Sequence, residues 1–166
     1  LAMMYLVQEH KLAASIGVSP GDAGAFLQKF RRELPALSQW PKTIMELLVH
    51  QGYVTTLLGW RNYYPAYFSP IWRESQAALR EAGNLPIQGT AAGLFKVWLN
   101  RLNEYLRRRG QCLVLQVHDE GVAEVDDHPG LIQEVAAEMV RLGRELGEQY
   151  LSVPLVFDVS SGPTWA

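Results

Sequence analysis

The sequence predicts an α+β fold with a mostly antiparallel sheet, and three observations carry that prediction. Residues 52–65 and 113–125 each have the composition of two strands folded back on each other, while the remaining stretches keep helical periodicity. No β-helix-β alternation of the kind that builds a parallel sheet is present. The totals agree: 166 residues, 48% of them hydrophobic and 19% charged, suffice for one compact unit with a real core or for a piece of a larger molecule.

The chain opens Leu1-Ala2-Met3-Met4 with no initiator in front, as expected of a piece of a longer protein. Residues 1–16 read as the end of a helix closed by Gly17. Ser19-Pro20-Gly21-Asp22 then supplies a cap, a proline for the first helical position and an acid three after the cap. The helix it starts places Ala23, Phe26, Leu27, Phe30 and Leu34 on one stripe, and Pro35 ends it. A further helix is expected from about Trp40 to His50, with Pro41 in its first turn and Ile44, Leu47 and Leu48 facing inward.

Gly52 to Pro65 is a hairpin by composition, with β-branched and aromatic residues on both arms and Gly59 at the turn. Ser69-Pro70 starts a long helical stretch reaching Arg109, which Pro86 must kink or interrupt. Arg80, Asn84 and Gln88 recur every four residues along it, a stripe of donors suited to phosphate oxygens and base edges, or simply a solvated face. Leu94, Trp98, Leu102 and Tyr105 form its later apolar side. Arg107-Arg108-Arg109 can grip phosphates, although cations at a helix carboxyl end are already explained by the helix dipole. Asp127 is placed to cap a last helix with Leu131, Val135, Met139, Leu142 and Leu146 as its buried stripe. Residues 154–159 read as a final strand.

Leu113 to Val125 holds the chemistry. An apolar run climbs to His118, Asp119 and Glu120 at a bend, then apolar and polar residues alternate. Adjacent carboxylates at a strand bend are costly unless water or a divalent cation takes up their charge. A solvated turn and a metal site both remain open from this hairpin alone. The net charge of −2 speaks against a surface that coats nucleic acid but leaves room for a local basic groove. The single Cys112 cannot form an internal disulfide and is expected as a buried thiol in a reducing compartment. No apolar run reaches membrane-spanning length.

Gln116-Val117-His118-Asp119-Glu120 resembles the third sequence motif of family A DNA polymerases, the class of bacterial repair polymerases and phage replicases. Asn84-Leu85-Pro86-Ile87-Gln88-Gly89-Thr90-Ala91-Ala92 resembles the family's palm helix. The 52–57 segment with Gly59, Arg61 and Tyr64-Pro65 resembles its DNA-facing hairpin, and Asp158-Val159 with Gly162 and Trp165 its last strand. The four stand in the family's order, and Tyr5 matches the tyrosine ending the fingers helix.

The resemblance implies the carboxyl-terminal fingers-end and palm portion of a template-directed DNA polymerase, with an antiparallel palm sheet packed by long helices. In such enzymes two magnesium ions, about 3.5–4 Å apart, activate the primer 3′-hydroxyl and stabilise the leaving pyrophosphate. Asp119 is then a metal-binding aspartate and Glu120 a second carboxylate that tunes the site. His118 would donate to the backbone at the primer terminus, with Gln116 beside it. Arg80, Asn84 and Gln88 would contact primer or template in the minor groove, where acceptors on every base pair allow shape to be checked without reading sequence. Arg61 would lie beside the duplex, and Tyr5 joins the DNA-binding set. The implied partners are primer-template DNA, deoxynucleoside triphosphates and the missing fingers and palm part, in cis or in trans. The implied place is the cytoplasm, at the nucleoid, with no membrane.

Several positions depart from the family pattern. Trp60 stands where the first of two adjacent arginines is usual, Leu6 replaces a glycine, and Gly93 stands where an acid is common. Gly121 and Ala123 replace larger apolar residues, so a loosely packed strand behind the site is expected. The motif with the other metal-binding aspartate, and the basic residues that hold the triphosphate, would precede Leu1. The isolated chain is therefore expected not to polymerise. The alternative is a polymerase-derived module that grips DNA or a replication protein without catalysis, which loose packing at Gly121 and Ala123 would favour.

Overall fold

A computed structural model of the chain describes residues 9–165, which form two compact units, the first running to Thr90 and the second beginning at Ala91. The first unit comprises helices α1 (Glu9–Ile16), α2 (Pro20–Glu33), α3 (Pro35–Gln51) and α4 (Trp72–Asn84) and a hairpin of β1 (Tyr53–Thr55) and β2 (Arg61–Tyr63). Gly17, at φ 71°, closes α1 by donating its amide to the Ala13 carbonyl. Ser19 caps α2 as expected, its hydroxyl accepting from the Asp22 amide at 3.1 Å. Leu12 and Ala13 pack on Ala23 and Leu27 in a small core. Phe26 and Leu34, expected on the same buried stripe, are exposed, because the packing of α2 among the described residues buries only its Ala23, Gly24 and Leu27 side.

Pro35 ends α2 but also opens α3, since a first helical position needs no N–H. Pro41 consequently falls inside the helix, not in its first turn. Beside it, the indole of Trp40 donates to the Gly83 carbonyl at 2.9 Å and ties α3 to α4. Ile44, Leu48, Val54, Tyr64, Ala78, Leu79 and Ala82 make the main core of this unit. In the hairpin Tyr53 faces Tyr63 and Thr55 faces Arg61, with Gly59 at φ 84° in the connection. Thr90 Oγ1 accepts from the Leu57 amide at 2.9 Å and pins that connection.

Pro86 interrupts the long helix as expected, and the form of the interruption is a π turn, Leu85–Gly89, between α4 and α5 (Thr90–Arg107). A proline in the ladder leaves one carbonyl without its donor, and a one-residue widening absorbs the mismatch. Gly89 keeps the turn close to the hairpin: a Cβ there would stand 2.9 Å from Thr56 Cγ2.

The second unit packs α5 against α6 (Pro129–Tyr150) through Trp98, Leu99, Leu102, Leu106, Val135, Met139, Leu142 and Leu146. Strands β3 (Cys112–Val117) and β4 (Glu120–Glu124) form its hairpin. The antiparallel sheet is thus two separate two-stranded hairpins among the described residues. His128, not Asp127, caps α6: Pro129 takes the first helical position, so the residue before it faces the open amides, and its Nδ1 accepts from Leu131. Of the arginine run, Arg109 is bonded to Glu134 at 2.8 Å and stacked over Tyr105, and Arg108 pairs with Glu104. These are helix-end contacts within the fold.

Two further expectations differ from the structure. Residues 154–159 form no strand: Leu155 and Phe157 instead press on α6 at Gly147 and Gly143, where a Cβ would stand 2.9 Å and 2.1 Å away from them. Cys112 is exposed, because it opens a strand whose outward face this unit leaves uncovered.

Candidate active site

In the second unit the fold collects Gln116, His118, Asp119 and Glu120 on one hairpin. Val117 pairs with Glu120, leaving His118 and Asp119 as a two-residue turn. His118 has φ 52°, the left-handed region that side chains other than glycine seldom adopt, and it is the first turn position. The Gln116 amide donates to the His118 carbonyl at 3.3 Å and braces the bend. At the other end a clasp closes the hairpin: Gln111 Nε2 donates to Asp126 Oδ2 at 2.8 Å, and the Asp126 amide donates to Gln111 Oε1 at 2.7 Å. A bulge at Val114 breaks the register between them, adding twist to the strand that carries the site.

His118, Asp119 and Glu120 are all exposed. Among the described residues nothing bonds the Asp119 carboxylate, and Glu120 Oε1 accepts from the Trp165 indole at 2.8 Å. No three His, Cys, Asp or Glu side chains come together as a metal cage among the described residues. Two adjacent carboxylates nevertheless suit magnesium, a hard cation that takes one or two protein oxygens and completes its shell with water and phosphate.

Behind the turn the expected looseness is absent. Trp98 lies directly against Gly121: a Cβ there would be 2.8 Å from its Cζ3 and 3.0 Å from Leu99 Cδ2. The indole is fixed by its bond to the Met139 carbonyl, 2.9 Å, and by stacking on Phe95 and Phe157. The aromatic occupies the volume that a larger residue on the strand would have filled.

The first unit carries the other candidates. Asn84 Nδ2 donates to Gln88 Oε1 at 2.7 Å, so these two share a helical face across the π turn, while Asn84 Oδ1 is buried and accepts nothing from the described residues. Arg80 and Gln88 are exposed on the same stretch. Arg61 is exposed, its guanidinium 5.0 Å above the Tyr53 ring, and that ring stands 5.2 Å from Tyr63. Below the hairpin, burial pushes the Tyr64 phenol above its ordinary pKa; the Asn62 amide opposes this and Glu81 adds to it. Tyr5 lies outside the described residues.

Residue patterns missed the partners that hold the two hairpins, Thr90 at the first and the others at the second. Trp98, Trp165, Gln111 and Thr90 act across 15 to 45 positions. The only local signals were a glycine where a strand should be bulky and a lone tryptophan after Gly162-Pro163-Thr164.

Among the described residues no helix is long and apolar enough to cross a membrane. A sequence model described as DNA polymerase family A matches residues 1–166. The thermostable DNA polymerase I of Thermus filiformis is 35% identical over 165 residues, 98% of this chain and 19% of that protein. DNA polymerase I of Geobacillus stearothermophilus is 34% identical over 167 residues, 98% of this chain and 18% of that protein. The chain spans about a fifth of the length of these curated relatives. Among solved structures, the POL domain of Pol1 from M. smegmatis, in complex with DNA primer-template and dNTP, superposes with a TM-score of 0.77. It is 29% identical, with 93% of this chain and 27% of that one covered.

Proposed function

We infer the function from one premise: the chain belongs to DNA polymerase family A. We propose that it serves template-directed DNA synthesis as the fingers-end and palm portion of a larger polymerase. Its substrates are then primer-template DNA and deoxynucleoside triphosphates, its partner is the remaining fingers and palm part, and its place is the cytoplasm beside the nucleoid. The observation that carries the reading is the Asp119 carboxylate, exposed at a tight turn and unbonded by any described residue, with Glu120 beside it.

In this reading Asp119 and Glu120, together with carboxylate from the remaining palm, would hold the magnesium ions. Magnesium, when bound, supplies the charge that activates the 3′-hydroxyl and stabilises the leaving pyrophosphate. His118, exposed at the turn, donates to the backbone of the primer terminus, and Gln116 keeps the turn in shape as well as facing DNA. Arg80, Asn84 and Gln88 meet minor-groove acceptors common to all base pairs. The buried Asn84 oxygen makes that residue the brace of Gln88 more than a free reader. Arg61 lies along the duplex backbone, its plane steadied by Tyr53. The filling of the space at Gly121 by Trp98 takes away one argument for the non-catalytic alternative.

The test is primer extension by the assembled polymerase, this chain together with the rest of the palm and fingers. Asp119→Ala is expected to lower extension at least about a hundredfold while primer-template affinity stays within about twofold. Undiminished extension by that variant would overturn the proposal.

A further inference from the structure

The segment after α6 has neither helix nor strand, yet two sites built into α6 hold it. Gly147 leaves room for Leu155 and Gly143 for Phe157, four residues apart and so on one face of the helix. Phe157 stacks on Trp98 at 4.8 Å between ring centres, and Trp98 is the ring packed under Gly121. Eight positions beyond Phe157 the same segment presents Trp165, whose Nε1–H donates to Glu120 Oε1 at 2.8 Å. The hairpin is thus contacted by one segment twice: through Trp98 under β4, and at the acid itself.

We propose that Trp165 is a positioning residue for Glu120, a role that rests on the polymerase reading above. An indole is a donor only, so it occupies one carboxylate oxygen without competing for a cation. It is also neutral, so it orients the acid without cancelling the negative charge that a cation needs, as an arginine would. The bond to an ionised acceptor is of the stronger kind. With Oε1 held, the rotation of the Glu120 carboxylate is restricted and Oε2 is the oxygen that Trp165 leaves open. Trp165 itself is 56% exposed, so burial does not account for its place. The anchoring of Leu155 and Phe157 delivers it there.

Two measurements test this. In the chain alone, the Trp165 indole N–H resonance is assigned by its loss in Trp165→Phe. It is expected to shift on Glu120→Gln, while the Trp40 and Trp98 indoles, bonded to Gly83 and Met139 carbonyls, stay in place. A Trp165 resonance indifferent to Glu120→Gln overturns the proposal. In the assembled polymerase, Trp165→Phe is expected to lower kcat about three- to tenfold with little change in KM for the triphosphate. In a Glu120→Ala background the same substitution is expected to have almost no further effect, since its target is gone. An equal fall in both backgrounds marks a merely structural tryptophan and overturns the role. Extension that survives Asp119→Ala overturns the polymerase reading and the positioning role with it, whereas the indole shift reports the bond either way.

Discussion

His118 and Gly121, three positions apart, show how individual residues serve the site at opposite energetic signs. A histidine at φ 52° occupies backbone space that suits glycine, at a cost of about 1 kcal/mol. His118→Gly is therefore expected to leave stability unchanged or raise it by up to about 1 kcal/mol in urea unfolding, while extension by the assembled polymerase falls. A variant that loses stability instead would show that the imidazole is there for the fold. Gly121 works the other way. Gly121→Ala drives a methyl to 2.8 Å from a Trp98 ring that is hydrogen-bonded and stacked and so cannot yield. A loss of about 1–3 kcal/mol is expected from overpacking, readable as a lower urea midpoint. The turn at His118 and Asp119 was legible in the sequence because a turn is a local event, written in consecutive residues. The role of Gly121 was not: a missing side chain reads as a void until the ring that fills it, on another element, is seen.

Among the elements, what could be read was what neighbours in sequence decide. The Ser19 cap, the Gly17 closure, the bends at Gly59 and His118-Asp119, and the break at Pro86 depend on short-range backbone chemistry. Misreadings fell where a competing proline or a distant surface decides. Pro41 falls inside α3 because Pro35 already opens that helix, and 154–159 pairs with no strand because α6 offers glycine gaps where Leu155 and Phe157 fall. Apolar alternation looks the same whether it meets a strand or a helix groove. The α5–α6 pair carries a prediction of its own. The Tyr105 hydroxyl and the Arg109 guanidinium both donate to Glu134 and hold its carboxyl below the ordinary value of 4.5. A carboxylate with a lowered folded pKa contributes stability that is complete above its unfolded pKa and is lost as pH falls through the folded one. Glu134→Gln is therefore expected to lower stability at pH 7, and the gap between variant and parent should close as pH falls below 4.5. Urea midpoints measured along that range would check it; a gap that persists in acid means the contact is not electrostatic.

For the whole molecule, family membership was legible from four motifs in a fixed order, which no single motif could have secured. What the chain does unaided is a separate question, decided by counting ligands. Asp119 and Glu120 are the carboxylates at the hairpin turn, and among the described residues no three His, Cys, Asp or Glu side chains gather to hold a metal ion. On the polymerase reading, magnesium and a triphosphate carrying several negative charges would need more counter-charge and more fixed oxygens than one aspartate and its neighbour provide. The chain alone is therefore expected to give no template-dependent extension of a primer with magnesium and all four nucleotides. Adding the remaining palm and fingers, in cis or in trans, should restore extension, and Asp119→Ala in that assembly should abolish it again. Extension by the chain by itself, sensitive to Asp119→Ala, would mean that the missing ligands lie within these 166 residues after all.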